Sequence, residues 1–371
     1  MTSNIIKILG NLGNSDHPKI VGRHQEEPFY NDISQHFSTV TIEQYKKFIN
    51  LGIPDLNRIN IFAGINNSGK TTLLEAVYLL AQQNDIMALI DVARRRTKIV
   101  GDDLNPLWLK DQIPETIFIK GDFDNKQTLL RVTKYQDTDD VIDKSFYITS
   151  FKLESVFDNI EQESRTHLFE NSPRKTSFQG NKILCRAIFS SPFSLHHPDT
   201  VKQCHKKSIQ WKSKEKIISF IRDKIDPGLI NIELEDEWNR FLVTHQKFDQ
   251  SPDLTHFGEG IQRIFYIALQ FAYAKNGIVL IDEFENAIHK ELLYDFTRFI
   301  QELAVEFNTQ VFLSSHSKEC IDAFIKNDYQ LEDISAYALV EKDGNPSCYY
   351  YSGQKLNKVI DLMNLDIRGL Q

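Results

Sequence analysis

Gly64-Ile65-Asn66-Asn67-Ser68-Gly69-Lys70-Thr71 matches the phosphate-binding loop pattern GxxxxGK[ST] and continues into Thr72. Its glycines allow the backbone to curl until successive N–H groups face one phosphate. Lys70 has the reach for the β- and γ-phosphate oxygens, and the Thr71 hydroxyl is a hard oxygen donor for Mg2+. Average residue frequencies give such a pattern on the order of a 1% chance of arising at random in a chain of this size. A glycine-rich turn capping a helix would look the same in isolation. The flanks separate the two readings. Apolar Ile59-Asn60-Ile61-Phe62-Ala63 predicts a strand before the loop, and Leu73, Leu74, Val77, Leu80 and Ala81 recur at helical spacing from Lys70 to about Gln83.

A second site should lie at the end of Ile278-Val279-Leu280-Ile281, a short apolar run followed by Asp282-Glu283. A buried strand ending there presents the Asp282 carboxylate at the carboxyl edge of a sheet, where it can hold Mg2+ through water. Glu283 beside it could polarise an attacking water as general base. Around this strand the last third alternates: helix 259–275, strand 277–281, helix 288–305, strand 310–313, and a helix from Lys318. That alternation predicts an α/β fold with a parallel sheet and helices on both faces. Gly258-Glu259-Gly260-Ile261-Gln262-Arg263 opens the first of these helices, and glycine-freed N–H groups at a helix start bind phosphate well. Ser314-Ser315-His316 falls at a strand end, where an imidazole can meet a γ-phosphate. Each of these last two segments, alone, fits an ordinary turn or loop equally.

Taken in order, Gly64–Thr71, Gly258–Arg263, Asp282–Glu283, Glu285-Asn286 and His316 resemble the head of an ABC-type ATPase: phosphate loop, signature, Mg2+ strand, D-loop and switch histidine. Asn66 to Glu75 and Asp282 to His289 are most similar to the OLD (overcoming lysogenization defect) ATPases, relatives of the SMC and RecF heads. The likeness covers roughly 39–83 and 255–340. It implies a P-loop head with a parallel or mixed sheet flanked by helices, and a homodimer closing on two ATP molecules with Mg2+. Lys70 and Thr71 of one chain and the Gly258–Gly260 turn of the other would sandwich each nucleotide, with Glu283 as base and Lys70 and His316 at the γ-phosphate. There are departures. ABC signatures usually begin with Ser, and here His256 or Phe257 occupies that place. Gln112 is one candidate for the Q-loop glutamine. No heptad arm interrupts the head, unlike a true SMC. The stretch after His316 has no Asp-x-Asp and no acidic cluster able to hold two catalytic metals, so the expected effector, a nuclease above all, is encoded separately. The implied role is the ATPase of a DNA-handling or anti-phage defence system. The alternatives are a RecF-like repair clamp and a scaffold that binds ATP without hydrolysing it. No [NT]KxD guanine-reading segment occurs, which favours ATP over GTP.

Composition bounds the rest. The 371 residues are 41% hydrophobic and 25% charged, which excludes wholesale disorder. The formal charge is −8, so any DNA contact needs a local basic patch. The longest charge-free apolar stretch, Ile264 to Ala274, is too short to span a bilayer, and the start lacks a signal-peptide core. Cys185, Cys204, Cys320 and Cys348 show no CxxC spacing and suit a reducing cytoplasm. The domain reading is an N-terminal extension over 1–36, a first head segment over 37–110, an inserted α+β lobe over 111–250 and a second head segment over 251–371. Lys202, Lys206, Lys207, Lys212, Lys214 and Lys216 with Trp211 could bind nucleic acid or form a solvated helix face. Arg94-Arg95-Arg96 reads as an exposed basic turn or a phosphate contact. His196, His197, Cys204 and His205 fit no zinc template, and Tyr45 or Phe48 could flank adenine or sit in the core.

Overall fold

In a computed structural model, which describes residues 35–95, 105–136, 146–170, 175–180, 182–192, 198–235, 240–342, 345–363 and 366–369, the chain starts with a hairpin. Its strands are β1 (Phe37–Tyr45) and β2 (Phe48–Ile53), joined by a turn with Lys46 at φ +52°. β3 (Ile59–Ala63) is buried at every residue, Asn60 included, whose Nδ2 donates to the carbonyls of Asn57 and Val311. The phosphate loop carries it into α1 (Lys70–Gln82), whose first residue is the one the helical spacing predicts. Then come α2 (Ile86–Arg95) and α3 (Pro106–Gln112), the latter started by Pro106 and by the Asn105 side chain, which accepts the Leu107 and Trp108 N–H groups. An antiparallel meander comes next: β4 (Thr116–Phe123), β5 (Lys126–Tyr135), β6 (Tyr147–Phe157), β7 (Ile160–Phe169) and β8 (Lys175–Gln179). β9 (Ala187–Ser190), α4 (Pro198–Gln210), α5 (Ser213–Lys224) and the hairpin β10 (Leu229–Glu235) and β11 (Arg240–His245) complete the middle of the chain. The last third is α6 (Glu259–Tyr273), β12 (Ile278–Ile281), α7 (Lys290–Glu306), β13 (Gln310–Ser315), α8 (Lys318–Lys326), β14 (Ile334–Lys342), β15 (Asn345–Ser352) and α9 (Gly353–Met363).

These strands form two large sheets. The central one has the order β15-β14-β3-β13-β12-β9, parallel except for β15. The other has the order β2-β1-β4-β5-β6-β7-β8 and is antiparallel throughout. Alternate residues of the central strands point to opposite faces. Ile59, Ile61, Val279, Ile281, Val311 and Leu313 enter a core shared with α6, α7 and α8. Phe62, Leu280, Phe312, Tyr337 and Leu339 enter a second core shared with α1 and the antiparallel sheet. Helices lie on both faces, as expected, and on the second face α1 is itself roofed by the antiparallel sheet. An α/β fold with a mixed sheet flanked by helices is what the chain adopts.

Residues 111–250, expected as an inserted lobe, share both sheets with the rest of the molecule. β4 pairs with β1 from Phe37↔Phe123 to Gln44↔Phe118, and β9 pairs with β12. Short alternating runs announce strands, but the partner strand lies tens of residues away and leaves no local mark. The expected extension over 1–36 lies outside the described residues, except for Gln35 and His36. Among the described residues no helix is long and apolar enough to cross a membrane, and the four cysteines are free thiols.

His36, at the head of β1, is packed edge-on to Phe123, and burial pushes its imidazole down to about 4 from the usual 6.5. A folded-state value below the unfolded one means that the unfolded chain binds the proton first. The stability tied to His36 is thus complete above about pH 6.5 and lost as pH falls toward 4. Between pH 7.5 and 5 the wild type is expected to lose more stability than His36→Gln, by at most about 2 kcal/mol. Urea denaturation of both proteins at the two pH values checks this, and equal losses would remove His36 from the account.

Candidate nucleotide-binding site

β3, β12 and β13 run parallel in register, Ile61↔Leu313 and Leu313↔Ile281, so the segments leaving their carboxyl ends emerge at one sheet edge. The phosphate loop, Asp282-Glu283 and His316 meet there, around a cavity of about 660 Å3. Gly69 enters α1 at φ +102°, and a Cβ on it would lie 2.4 Å from the Phe48 ring. Glycine is required there both for its backbone angle and for space. Across the loop, Lys47 Nζ donates to the Asn67 carbonyl at 2.5 Å, so the β1–β2 turn braces the loop from outside.

Lys70 is 8% exposed and its Nζ donates to the carbonyls of Gly64 at 2.8 Å and Ile65 at 2.9 Å. Burial pulls its pKa down, opposed by the charges of Asp282, Glu285 and Glu283. Thr71 Oγ1 donates to Asp282 Oδ2 at 2.8 Å, and Ser314 Oγ donates to Asp282 Oδ1 at 2.5 Å. Asp282 is also 8% exposed; burial pushes its carboxyl pKa up, and the two hydroxyls pull it back. Thr71 and Asp282 thus form a pair of hard oxygen donors, the set Mg2+ takes. Glu283 sits at φ +48°, the left-handed region, which costs a non-glycine residue about 1–3 kcal/mol. Its N–H donates to Ser314 Oγ at 2.9 Å, and its Oε2 accepts from Asn286 Nδ2 at 3.3 Å. One serine on β13 therefore fixes both acidic residues.

The signature segment stands apart from this cavity. Gly258 caps α6, whose first residue is Glu259, as expected for a phosphate-ready helix start, and neither it nor Glu259 nor Gly260 lines the cavity. A Cβ on Gly260 would lie 2.8 Å from the Ala287 carbonyl, so glycine lets α6 dock on the turn after Asn286. A Cβ on Gly258 would meet nothing within 4 Å. Arg263, grouped with this surface in the sequence, instead turns inward. Its Nη2 donates to the Asp282 carbonyl at 2.8 Å and to that of Glu283 at 3.4 Å, and burial pulls its pKa down to about 10.

Several cavity residues carry no sequence motif. Arg95 closes α2, half-buried, with its guanidinium 4.5 Å from the Phe189 ring centre and Nη1 donating to the Phe189 carbonyl at 2.8 Å. The exposed basic turn is thereby corrected for Arg95, while Arg96 lies outside the described residues. Ser191 and Phe189 reach the cavity because β9 pairs with β12, and Glu75 reaches it from α1 while holding Lys46 Nζ at 2.6 Å. Tyr45 and Phe48 are core residues, buried too fully to flank a base. Gln112 lines a separate cleft of about 40 Å3 with Tyr45 and Lys46. Of the proposed zinc set, Cys204 and His205 are buried, His196 and His197 lie outside the described residues, and no metal-holding cluster occurs among the described residues. In the lysine run, Lys214 pairs with Glu233 and Lys216 with Glu306, each at 2.6 Å, and Lys275 caps the Trp211 ring at 3.4 Å.

Residues 197–321, from α4 into α8, match the family model of an AAA ATPase domain. That segment holds Asp282, Glu283 and His316, three of the groups that converge on the phosphate loop. This part of the chain is similar to AAA ATPase domains. An ATP/GTP phosphatase of Helicobacter pylori is 23% identical to this chain over 326 residues, 76% of this chain and 86% of that one. An uncharacterized protein of Methanocaldococcus jannaschii is 31% identical over 114 residues, 30% of this chain and 99% of its own, and the two belong to one family. Among solved structures, the chain is similar to an SMC head domain with an extended coiled coil from Pyrococcus furiosus, at 12% identity over 89% of this chain and 100% of that one, TM-score 0.46. An SMC head from Thermotoga maritima is likewise 12% identical over 85% of this chain and 99% of that one, TM-score 0.40.

Proposed function

We propose that this protein hydrolyses ATP between two copies of itself, and that the convergence of Lys70, Thr71, Asp282, Glu283 and His316 on one cavity carries that reading. Thr71 and Asp282 would hold Mg2+, which neutralises charge on the β- and γ-phosphate oxygens when bound. Lys70 exchanges its two loop carbonyls for phosphate oxygens. Glu283 accepts the proton of the attacking water, in a backbone held by Ser314 and Arg263, and His316 meets the γ-phosphate. The Gly258–Gly260 turn lies off its own cavity, and a second copy would bring it to the nucleotide, which is the argument for a homodimer. Glu285 and Asn286 then belong to the turn between the sites. Segments 37–110 and 251–371 supply the phosphate loop, Asp282, Glu283 and His316, and the middle segment supplies Phe189 and Ser191 of the cavity wall, the roof and the α4–α5 face. We place the protein in the cytoplasm, where free thiols persist, and assign its output to a separately encoded effector in DNA handling or anti-phage defence. Phosphate release from ATP and from GTP, with Mg2+ or EDTA, is the direct test. Release from neither nucleotide would reduce the protein to an assembly scaffold.

Lys206, Trp211 and Lys212 are exposed on α4 and the turn after it, and Lys207 beside them is bonded only to Gln210 among described partners, so this face is open to the phosphates of a nucleic acid, with duplex DNA as the probe. Replacing Lys206, Lys207 and Lys212 with Gln is expected to weaken binding of many duplexes alike and to flatten the log–log salt slope by up to about three units. Fluorescence anisotropy across a salt series checks it. Equal slopes for both proteins leave only a solvated helix face.

A further inference from the structure

We propose that Glu285 and Arg368 are positioning residues that clamp His316 from its two sides, the carboxylate setting the imidazole and the guanidinium setting the backbone. Resting on the ATPase reading above, this gives Glu285 a task within its own chain. Its Oε1 accepts the His316 backbone N–H at 2.7 Å and lies 3.0 Å from His316 Nδ1. The side chain is only 10% exposed, and its Oε2 is buried with no hydrogen-bond partner among the described residues. A carboxylate can only accept, so its place beside Nδ1 favours a hydrogen on that nitrogen and leaves Nε2 toward a phosphate oxygen. One carboxylate thus sets both where the residue stands and which ring nitrogen faces the nucleotide.

The second jaw comes from the last described turn, Ile367–Gly369. Arg368 Nη1 donates to the His316 carbonyl at 2.5 Å. The guanidinium is held by Asp366, with Nε donating to Oδ1 at 2.7 Å and Nη2 to Oδ2 at 2.5 Å, a two-point contact that fixes its plane. Ile367 between them is buried in the core of α6–α8. Immediately after His316, Ser317 caps α8 by accepting the Cys320 N–H at 3.1 Å. The N–H, the ring and the carbonyl of His316 are therefore each held in place by the two jaws. A side chain that must meet one oxygen of a small phosphate gains from this, since a misplacement of an ångström can cost about 10²-fold in rate.

The test is a double-mutant cycle on ATP turnover by the full chain. Glu285→Ala is expected to lower kcat about tenfold with little change in KM for ATP. Glu285→Gln, which keeps an acceptor for the His316 N–H, should recover part of the rate, and Arg368→Ala should show a smaller loss than Glu285→Ala. In a His316→Ala background, none of the three should slow turnover further beyond about twofold, because each acts through the missing ring. Losses that multiply with His316→Ala overturn the clamp and leave the ATPase reading standing. A wild-type rate for His316→Ala itself overturns both the γ-phosphate role of His316 and the clamp. Thermal midpoints of the variants separate lost positioning from lost folding. If Glu285→Ala does not fold, Glu285→Gln and Arg368→Ala carry the same cycle.

Discussion

Glu283→Gln is expected to slow ATP hydrolysis by about 10²-fold or more while leaving nucleotide binding intact. The carboxamide has nearly the shape of the carboxylate, so the left-handed turn at Glu283, its N–H bond to Ser314 and the bond from Arg263 to its carbonyl all survive. What is lost is a group able to take a proton from water. A stalled enzyme should then accumulate with ATP bound, and if two copies close on the nucleotide it should run as a dimer on a sizing column only when ATP is present. Full turnover would move the base elsewhere. An ATP-loaded monomer would leave the chemistry standing and remove the sandwich.

Lys70→Ala should abolish nucleotide binding at concentrations that saturate the wild type. Two contacts made by a charged donor are each worth about 1.5–3 kcal/mol, which together amount to a loss of roughly 10²- to 10⁴-fold in affinity. The same ammonium also ties the Gly64 and Ile65 carbonyls together, so the variant loses a strut of the loop as well as a charge. Lys70→Arg should not restore binding, because a forked guanidinium does not fit a place built for a compact cation. Titration with a fluorescent ATP analogue measures both variants. Unchanged affinity in Lys70→Ala would mean that Gly64–Thr71 only caps a helix.

The parts of this site that are legible in the chain are those whose physics is local. A left-handed turn needs a glycine at 69, a strand buried on both faces needs the largely apolar run 59–63, and a helix starting at Lys70 shows its period within a few turns. Asp282 and His316 are visible for the same reason, each standing at the end of a short apolar run that has to be a strand. The lysine run marks the limit of such local physics. Its charges are plain in the sequence, but Glu233 and Glu306, which take up Lys214 and Lys216, arrive from β10 and α7.

What only the tertiary structure decided is which distant groups share a sheet edge. Phe189 and Ser191 reach the nucleotide cavity because β9 lies beside β12, and Arg95 because α2 ends over Phe189. Arg263 turns inward because α6 packs against the strand that ends in Asp282, although its spacing from Gly258 suggests a surface for a partner. Residues 111–250 read as an inserted lobe, and within them β4 to β8 continue the sheet begun by β1 while β9 joins β12. A strand's own sequence records that it has edges and which face is apolar. The choice of neighbour is made by hydrogen bonds between backbones, which are the same for every side chain, and by how the remaining apolar faces can be covered together.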